Sequence, residues 1–215
     1  EPQGILLDHP DWAIRDPAGK PLGFISPAHP EARQWIISVL REIVQKYQPD
    51  GLMLDYLRYF NRPWQLDEQG QAELERFVAS ESPADDADRR RLAQQFKEDQ
   101  LTRLVQEIHE SLRTVRPNLK LGVYSWGPHV AKNHLVAQAW PTWIERGYVN
   151  LVDISGYCYP ENYGDKYLKI FEERLQKALA LRNATGRSAR ITFTLGIETS
   201  HGHIDSVAEM DKYFM

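Results

Sequence analysis

Three carboxylates stand where side chains can do chemistry. Asp55 closes the apolar run Gly51-Leu52-Met53-Leu54 and is followed by Tyr56, Arg58 and Tyr59. Asp153 lies in Leu151-Val152-Asp153-Ile154-Ser155, and Glu198 follows Thr192-Phe193-Thr194-Leu195-Gly196-Ile197. Two carboxyl groups facing each other across a gap, one ionised and one protonated, support general acid–base catalysis or nucleophilic displacement. The competing reading of each is a structural carboxylate bonded to a neighbouring Arg or Tyr. Around them cluster Trp126 and His129, Tyr157 and Tyr159, and His201, with His9, Asp11 and Trp12 near the start of the chain. His201, His203 and Asp205 have ligand chemistry but lack the His-x-x-x-His spacing of a helical metal site, so no metal is expected. Cys158 carries no nucleophile motif and reads as a buried thiol.

These residues need strands to hold them. Residues 51–54, 119–125, 149–157 and 189–197 are short apolar or β-branched runs, and each ends in a chemically rich stretch. Between them the apolar spacing turns helical, at 30–47 after Pro30, at 88–115, at 138–146 and at 165–181. Strand–helix alternation predicts a parallel α/β sheet, whose sites form after the C-terminal strand ends. Side chains alternate along a strand, so Gly51, Met53 and Asp55 share one side while Leu52 and Leu54 share the helix side. On a strand over 189–197, the same parity places Thr192, Thr194, Gly196 and Glu198 together, facing inward. Asp153 shares its side with Ser155 and Tyr157 but lies deeper. Residues 1–29 read as an elaborated loop with a short extended piece at Phe24-Ile25.

Bulk composition narrows the classes. The 215 residues are 42% hydrophobic and 26% charged, ordinary for a globular domain. A net charge of −4 offers no concentrated cation surface for phosphates, so no nucleic-acid partner is expected. No apolar run approaches the ~20 residues that cross a bilayer. One cysteine cannot form an internal disulfide. The chain opens on Glu1, and a signal peptide ahead of it would make the protein secreted or cell-envelope-associated. Six Trp and ten Tyr are many for this length; such rings stack on sugars, but each is more readily a core residue.

His9-Pro10-Asp11-Trp12, the run 27–33, and Asp50-Gly51-x-x-x-Asp55-Tyr56-x-Arg58-Tyr59 together resemble the glycosyl-hydrolase-like 10 family, bacterial proteins with a (β/α)8 barrel. Gln138-x-Trp140-x-x-Trp143-x-x-x-Gly147-Tyr148-Val149 is similar to the family's approach to its sixth strand. Phe60 stands where the family usually has Pro, Ala139 where it usually has Asp, and Ile154-Ser155-Gly156-Tyr157 where a Pro-Met run is usual. The resemblance implies a TIM-barrel type α/β fold of which strands four to seven are present, 1–215 being a single catalytic-type domain and part of a longer chain. Such a half barrel is expected to expose strand edges and not to stand alone as a stable monomer.

It also implies a glycoside hydrolase acting on a polysaccharide or a peptidoglycan-type glycan, without cofactor. Asp55 then serves as nucleophile or transition-state stabiliser and Glu198 as acid/base, with Asp153 as third candidate. Arg58 and Tyr59 would bond Asp55; Trp126, His129, Tyr157, Tyr159 and His201 would contact sugar, and His9 and Trp12 would line the same cleft. Two alternatives stay open: a non-catalytic carbohydrate-binding barrel, and a metal-dependent hydrolase using His9, His201 or His203.

Overall fold

Glycine, proline and aspartate set the boundaries of the elements. The structure is a computed structural model that describes residues 2–214. A short helix α1 (Ile5–Asp8) leads into the strands β1 (Ala13–Arg15) and β2 (Pro21–Ile25), an antiparallel hairpin. Residues 1–29 are therefore not simply a loop around Phe24-Ile25. The missed signal is Asp16-Pro17-Ala18-Gly19: Asp16 Oδ1 accepts from the amides of Ala18 and Lys20, both at 2.9 Å, and Gly19 takes φ 84°.

Helix α2 (Pro30–Tyr47) has Pro at its start and is stopped at Gln48, which turns left-handed ahead of Pro49. The strand β3 (Gly51–Leu54) follows, then α3 (Glu68–Ser80) and α4 (Asp86–Val115). Asp67 caps α3 by accepting from the Gly70 amide at 2.9 Å, and also takes the Ser26 hydroxyl, tying β2's end to the helix. Asp85 caps α4 on the Asp88 amide at 2.8 Å. At 30 residues α4 is about 45 Å long, and Leu92, Phe96, Leu101, Leu104, Val105, Ile108 and Leu112 form its buried stripe.

The remaining order is β4 (Lys120–Ser125), α5 (Trp140–Glu145), β5 (Leu151–Ser155), α6 (Pro160–Tyr163), α7 (Tyr167–Ala184), β6 (Arg190–Thr194), a hairpin of β7 (Glu198–Thr199) and β8 (Gly202–His203), and α8 (Val207–Asp211). Strands β3 to β6 form one parallel sheet in strictly sequential order. Sequential order is what a barrel requires; doubly wound sheets reverse at a switch point. The register aligns Leu52, Leu121, Val123, Val152, Ile154, Ile191 and Phe193 on one face, where they pack on α2, α4, α5 and α7. The opposite face presents Met53, Gly122, Tyr124, Asp153, Ser155, Thr192 and Thr194. β3 and β6 are edges, each with one neighbour.

Two strands end earlier than their apolar runs. β5 stops at Ser155 rather than Tyr157, and β6 at Thr194 rather than Ile197. The chain turns away at Gly196, whose carbonyl accepts from the Tyr159 hydroxyl at 2.8 Å and where a Cβ would lie 2.3 Å from the Thr199 methyl. Glu198 is consequently on the β7–β8 hairpin, so the parity reasoning for a strand over 189–197 does not place it.

Candidate active site

A cleft of about 940 Å³ opens at the C-terminal ends of the four strands. Asp55, Arg58, Trp126, His129, Tyr157, Glu198 and His201 all line it. Asp55 is the first residue beyond β3, on the same side as Met53, and is exposed. Its Oδ1 accepts from the following amide, that of Tyr56, at 2.7 Å. Tyr56 has φ 54°, a left-handed conformation unusual for an aromatic residue, and such strain concentrates at functional turns.

The Arg58 guanidinium lies 4.0 Å from the Trp126 ring centroid and 4.8 Å from that of Tyr56, a cation held between two aromatic rings. It donates to the Tyr59 carbonyl at 3.1 Å rather than to Asp55. Burial lowers its pKa, while the charges of Tyr56, Asp55 and Tyr124 act in the opposite direction. Asp55 thus acts on Arg58 through its charge, without a hydrogen bond between the two side chains.

Asp153 sits deeper on the sheet, half-buried. Both its oxygens are taken by β6: Thr192 donates to Oδ1 at 2.6 Å and Thr194 donates to Oδ2. It does not itself line the cleft, although Tyr124, Ser155 and Thr194 beside it do. Glu198 is exposed on the hairpin at the opposite side from Asp55 in strand order. The hairpin is held by Thr199, whose hydroxyl donates to the Gly202 carbonyl at 2.9 Å.

His129 follows Gly127, whose φ of 151° brings the backbone within 3.0 Å, measured from a would-be Cβ, of the His129 Nδ1. Burial is the main cause of its lowered pKa, aided by the positive charges of Arg174, His134 and Lys177. The Tyr157 and His201 rings lie 6.1 Å apart on the other wall.

The model of the family described as glycosyl hydrolase-like 10 matches residues 1–214. The chain belongs to the glycosyl hydrolase-like 10 family. Among relatives, the glycosyl hydrolase DigH of Escherichia coli K12 is 22% identical over 134 residues, covering 62% of this chain and 28% of DigH. The glycosyl hydrolase YngK of Bacillus subtilis is 28% identical over 123 residues, covering 55% of this chain and 21% of YngK. These matches span less than a third of either relative's length. Bee venom hyaluronidase, solved in complex with a hyaluronic acid tetramer, superposes with a TM-score of 0.57 at 12% identity, over 94% of this chain and 70% of that one. That likeness establishes a barrel-type α/β fold, of which this family member's four sequential strands are a part.

Not every residue marked by the sequence reaches the cleft. Tyr59 is 1% exposed, stacked on Trp64 at 4.1 Å, with its phenol pKa pushed up chiefly by burial. Its amide donates to Val136, so neither end of Tyr59 meets Asp55. Tyr159 is buried, its hydroxyl spent on Gly196. Trp12 is buried with Leu6, Ala13 and Ala32, stacked on His9 at 4.0 Å, and Asp11 faces His29 across 3.9 Å. These braces lie outside the cleft lining. His203 diverges from His201: its Nδ1 meets Glu161 at 2.6 Å and its Nε2 meets Asp205 at 3.0 Å. Among the described residues no three His, Cys, Asp or Glu side chains gather as a metal-ligand set. Cys158 is buried, and burial raises its pKa against the opposing charge of Arg174.

Other lining residues carried little signal. Tyr124 belongs to the inward parity of β4; burial, with Tyr157 and Asp153 nearby, pushes its phenol up to about 12, so it stays a hydrogen-bond donor at neutral pH. Parity on residues 119–125 identifies it. Arg174, by contrast, comes from the middle of α7, where helical spacing does not mark which polar residue faces a cleft. It donates to Tyr163 Oη at 2.6 Å and to Cys158 Sγ at 3.2 Å.

Proposed function

We propose that this protein hydrolyses glycosidic bonds in a polysaccharide or peptidoglycan-type glycan, with the reaction centred on Asp55. The observation that carries the reading is the shared cleft: Asp55 and Glu198, attached beyond the two edge strands of one parallel sheet, line it together with Trp126 and Tyr157. Carboxylates on opposite walls with aromatic rings between them suit a sugar ring with its scissile bond in the gap. Membership of the glycosyl hydrolase-like 10 family supports the same reaction class.

In this reading Asp55 is the nucleophile or stabilises the positive charge that develops on the sugar, and Glu198 gives the leaving oxygen a proton. Retaining chemistry needs the two carboxyls ~5–5.5 Å apart and inverting chemistry ~6.5–9.5 Å. Asp153 is the second choice for the acid/base, its position held by Thr192 and Thr194. Comparing Glu198→Gln with Asp153→Asn separates them: the true acid/base loses the corresponding limb of its pH–rate profile.

Glu198 also motivates a second reading, a carbohydrate-binding domain without catalysis, because it is carried by a two-residue strand of a surface hairpin rather than by the sheet. Release of reducing ends from a panel of polysaccharides and peptidoglycan glycan strands by the full-length protein decides between them. Turnover of at least one glycan supports the hydrolase. Saturable binding with no turnover favours the second reading.

A further inference from the structure

The cleft carries charge of both signs. Asp55, with Arg58 beside it, and Glu198 stand at the edge-strand walls, and the α7 wall carries Arg174, with Lys177 one turn along the same helix. His129 registers that positive field: Arg174 and Lys177 both act to lower its pKa. Arg174 is half-buried and lines the cleft, and its side-chain hydrogen-bond partners are a phenol of the cleft wall, Tyr163, and the buried Cys158 thiol behind it, neither of them a carboxylate. Among the described residues no carboxylate forms an ion pair with it. Elsewhere in the protein, the buried guanidinium of Arg33 is met by Glu107 at 3.0 Å. A guanidinium with no carboxylate partner keeps its charge available to an incoming anion.

Tyr163 makes this guanidinium a receptor rather than a loose surface charge. Its hydroxyl accepts from Arg174 Nη2, and its ring centroid lies 5.3 Å from the guanidinium carbon. The aromatic contact and the two neutral acceptors fix the plane of the fork without consuming its charge. A planar, preoriented guanidinium matches a carboxylate, which it grips through two parallel hydrogen bonds.

We infer that Arg174 is a specificity-determining residue that selects glycans bearing a carboxylate on the sugar lying against α7. The assignment rests on the cleft being the glycan site, so its test has to separate the two. The probes are an oligosaccharide containing uronic acid residues and the methyl ester of the same oligosaccharide, which removes the charge at nearly constant shape. Binding of each to the full-length protein carrying Asp55→Asn is measured by calorimetry at low and high salt.

The acid binds about tenfold or more tightly than the ester at low salt, a charge-assisted hydrogen bond's worth of selectivity, and the preference shrinks as salt screens it. Arg174→Gln removes the preference, while Arg174→Lys, which keeps the charge but not the fork, retains part of it. A melting temperature on each variant separates lost charge from lost packing. Equal binding of acid and ester by the protein with Arg174 intact overturns the assignment and leaves the glycan site standing. Failure to bind either form, together with failure to bind any member of the polysaccharide and peptidoglycan panel, contradicts the glycan site itself.

Discussion

Burial places His129 on the neutral side of its titration at pH 7. Its folded pKa lies below the ordinary value of 6.5, so the unfolded chain takes up the proton first. The stability it contributes is complete above pH 6.5 and is lost as the pH falls through the folded value. His134, whose ring centroid is 6.0 Å away, is lowered by burial as well and adds in the same direction. The urea midpoint should therefore fall between pH 7 and pH 5, with a shallower slope in His129→Asn. An unchanged slope in that variant would mean that His129 titrates alike in both states. Within the cleft, a neutral imidazole can accept or donate a hydrogen bond at physiological pH. The residues on strand ends were visible in the sequence because parity and position follow from the strand pattern. Arg174 was not, since nothing in helical spacing marks which polar residue of α7 turns into a cleft.

At the scale of elements, the buried Arg33 of α2 holds three partners: Glu107 of α4 at 3.0 Å, and the carbonyls of Pro27 and Ala28 at 2.8 and 3.0 Å. Arg33→Met strands both carbonyls and leaves Glu107 only its exposed partner Arg103. The loss should be about 2–3 kcal/mol in urea unfolding, below the range for a wholly buried pair because Glu107 keeps some solvent. A change under about 0.5 kcal/mol, the scale of an ordinary surface substitution, would show that the Arg33 contacts contribute little to joining α2 and α4. The long helices α2, α4 and α7 and the four parallel strands were legible because long runs with period 3.6 or unbroken apolar stretches leave little choice, whereas the short helices α1, α6 and α8 carry too few residues for a period to show. The two hairpins were not. β1–β2 hides in a stretch rich in Pro and Gly, and the break at Gly196 depends on Tyr159, 37 positions back, reaching that carbonyl. Local pattern cannot register such a contact, and Glu198 was put on the wrong strand for that reason.

Across the whole molecule, the sheet has two edge strands and a helix-covered face, with its other face partly open at Met53 and half-buried at Tyr124, Asp153, Thr192 and Thr194. Met53 is 48% exposed on that face. Beside β3, Phe24, Ile36, Leu54 and Leu104 line a groove of about 550 Å³. Unpaired strand edges and apolar grooves invite association. The 215-residue chain by itself should bind an apolar dye and show a sedimentation coefficient that rises with concentration. A monodisperse chain at every concentration, without dye binding, would contradict this account of its edges. The family and barrel class were legible from residues 9–12, 27–33, 50–59 and 138–149 taken together, whereas the partly open face became evident only once the register was known. It is on that face, at the strand ends, that Asp55 is offered to solvent.

Under the proposed function, Asp55 takes part in bond cleavage. The most direct measurement is the kcat of Asp55→Asn against wild type, on whichever glycan the full-length protein cleaves, with binding of that glycan measured in parallel. The substitution removes the charge and keeps the shape, so binding should persist while kcat falls about a hundredfold or more. A variant that turns over at the wild-type rate would contradict the account and move the chemistry elsewhere in the cleft.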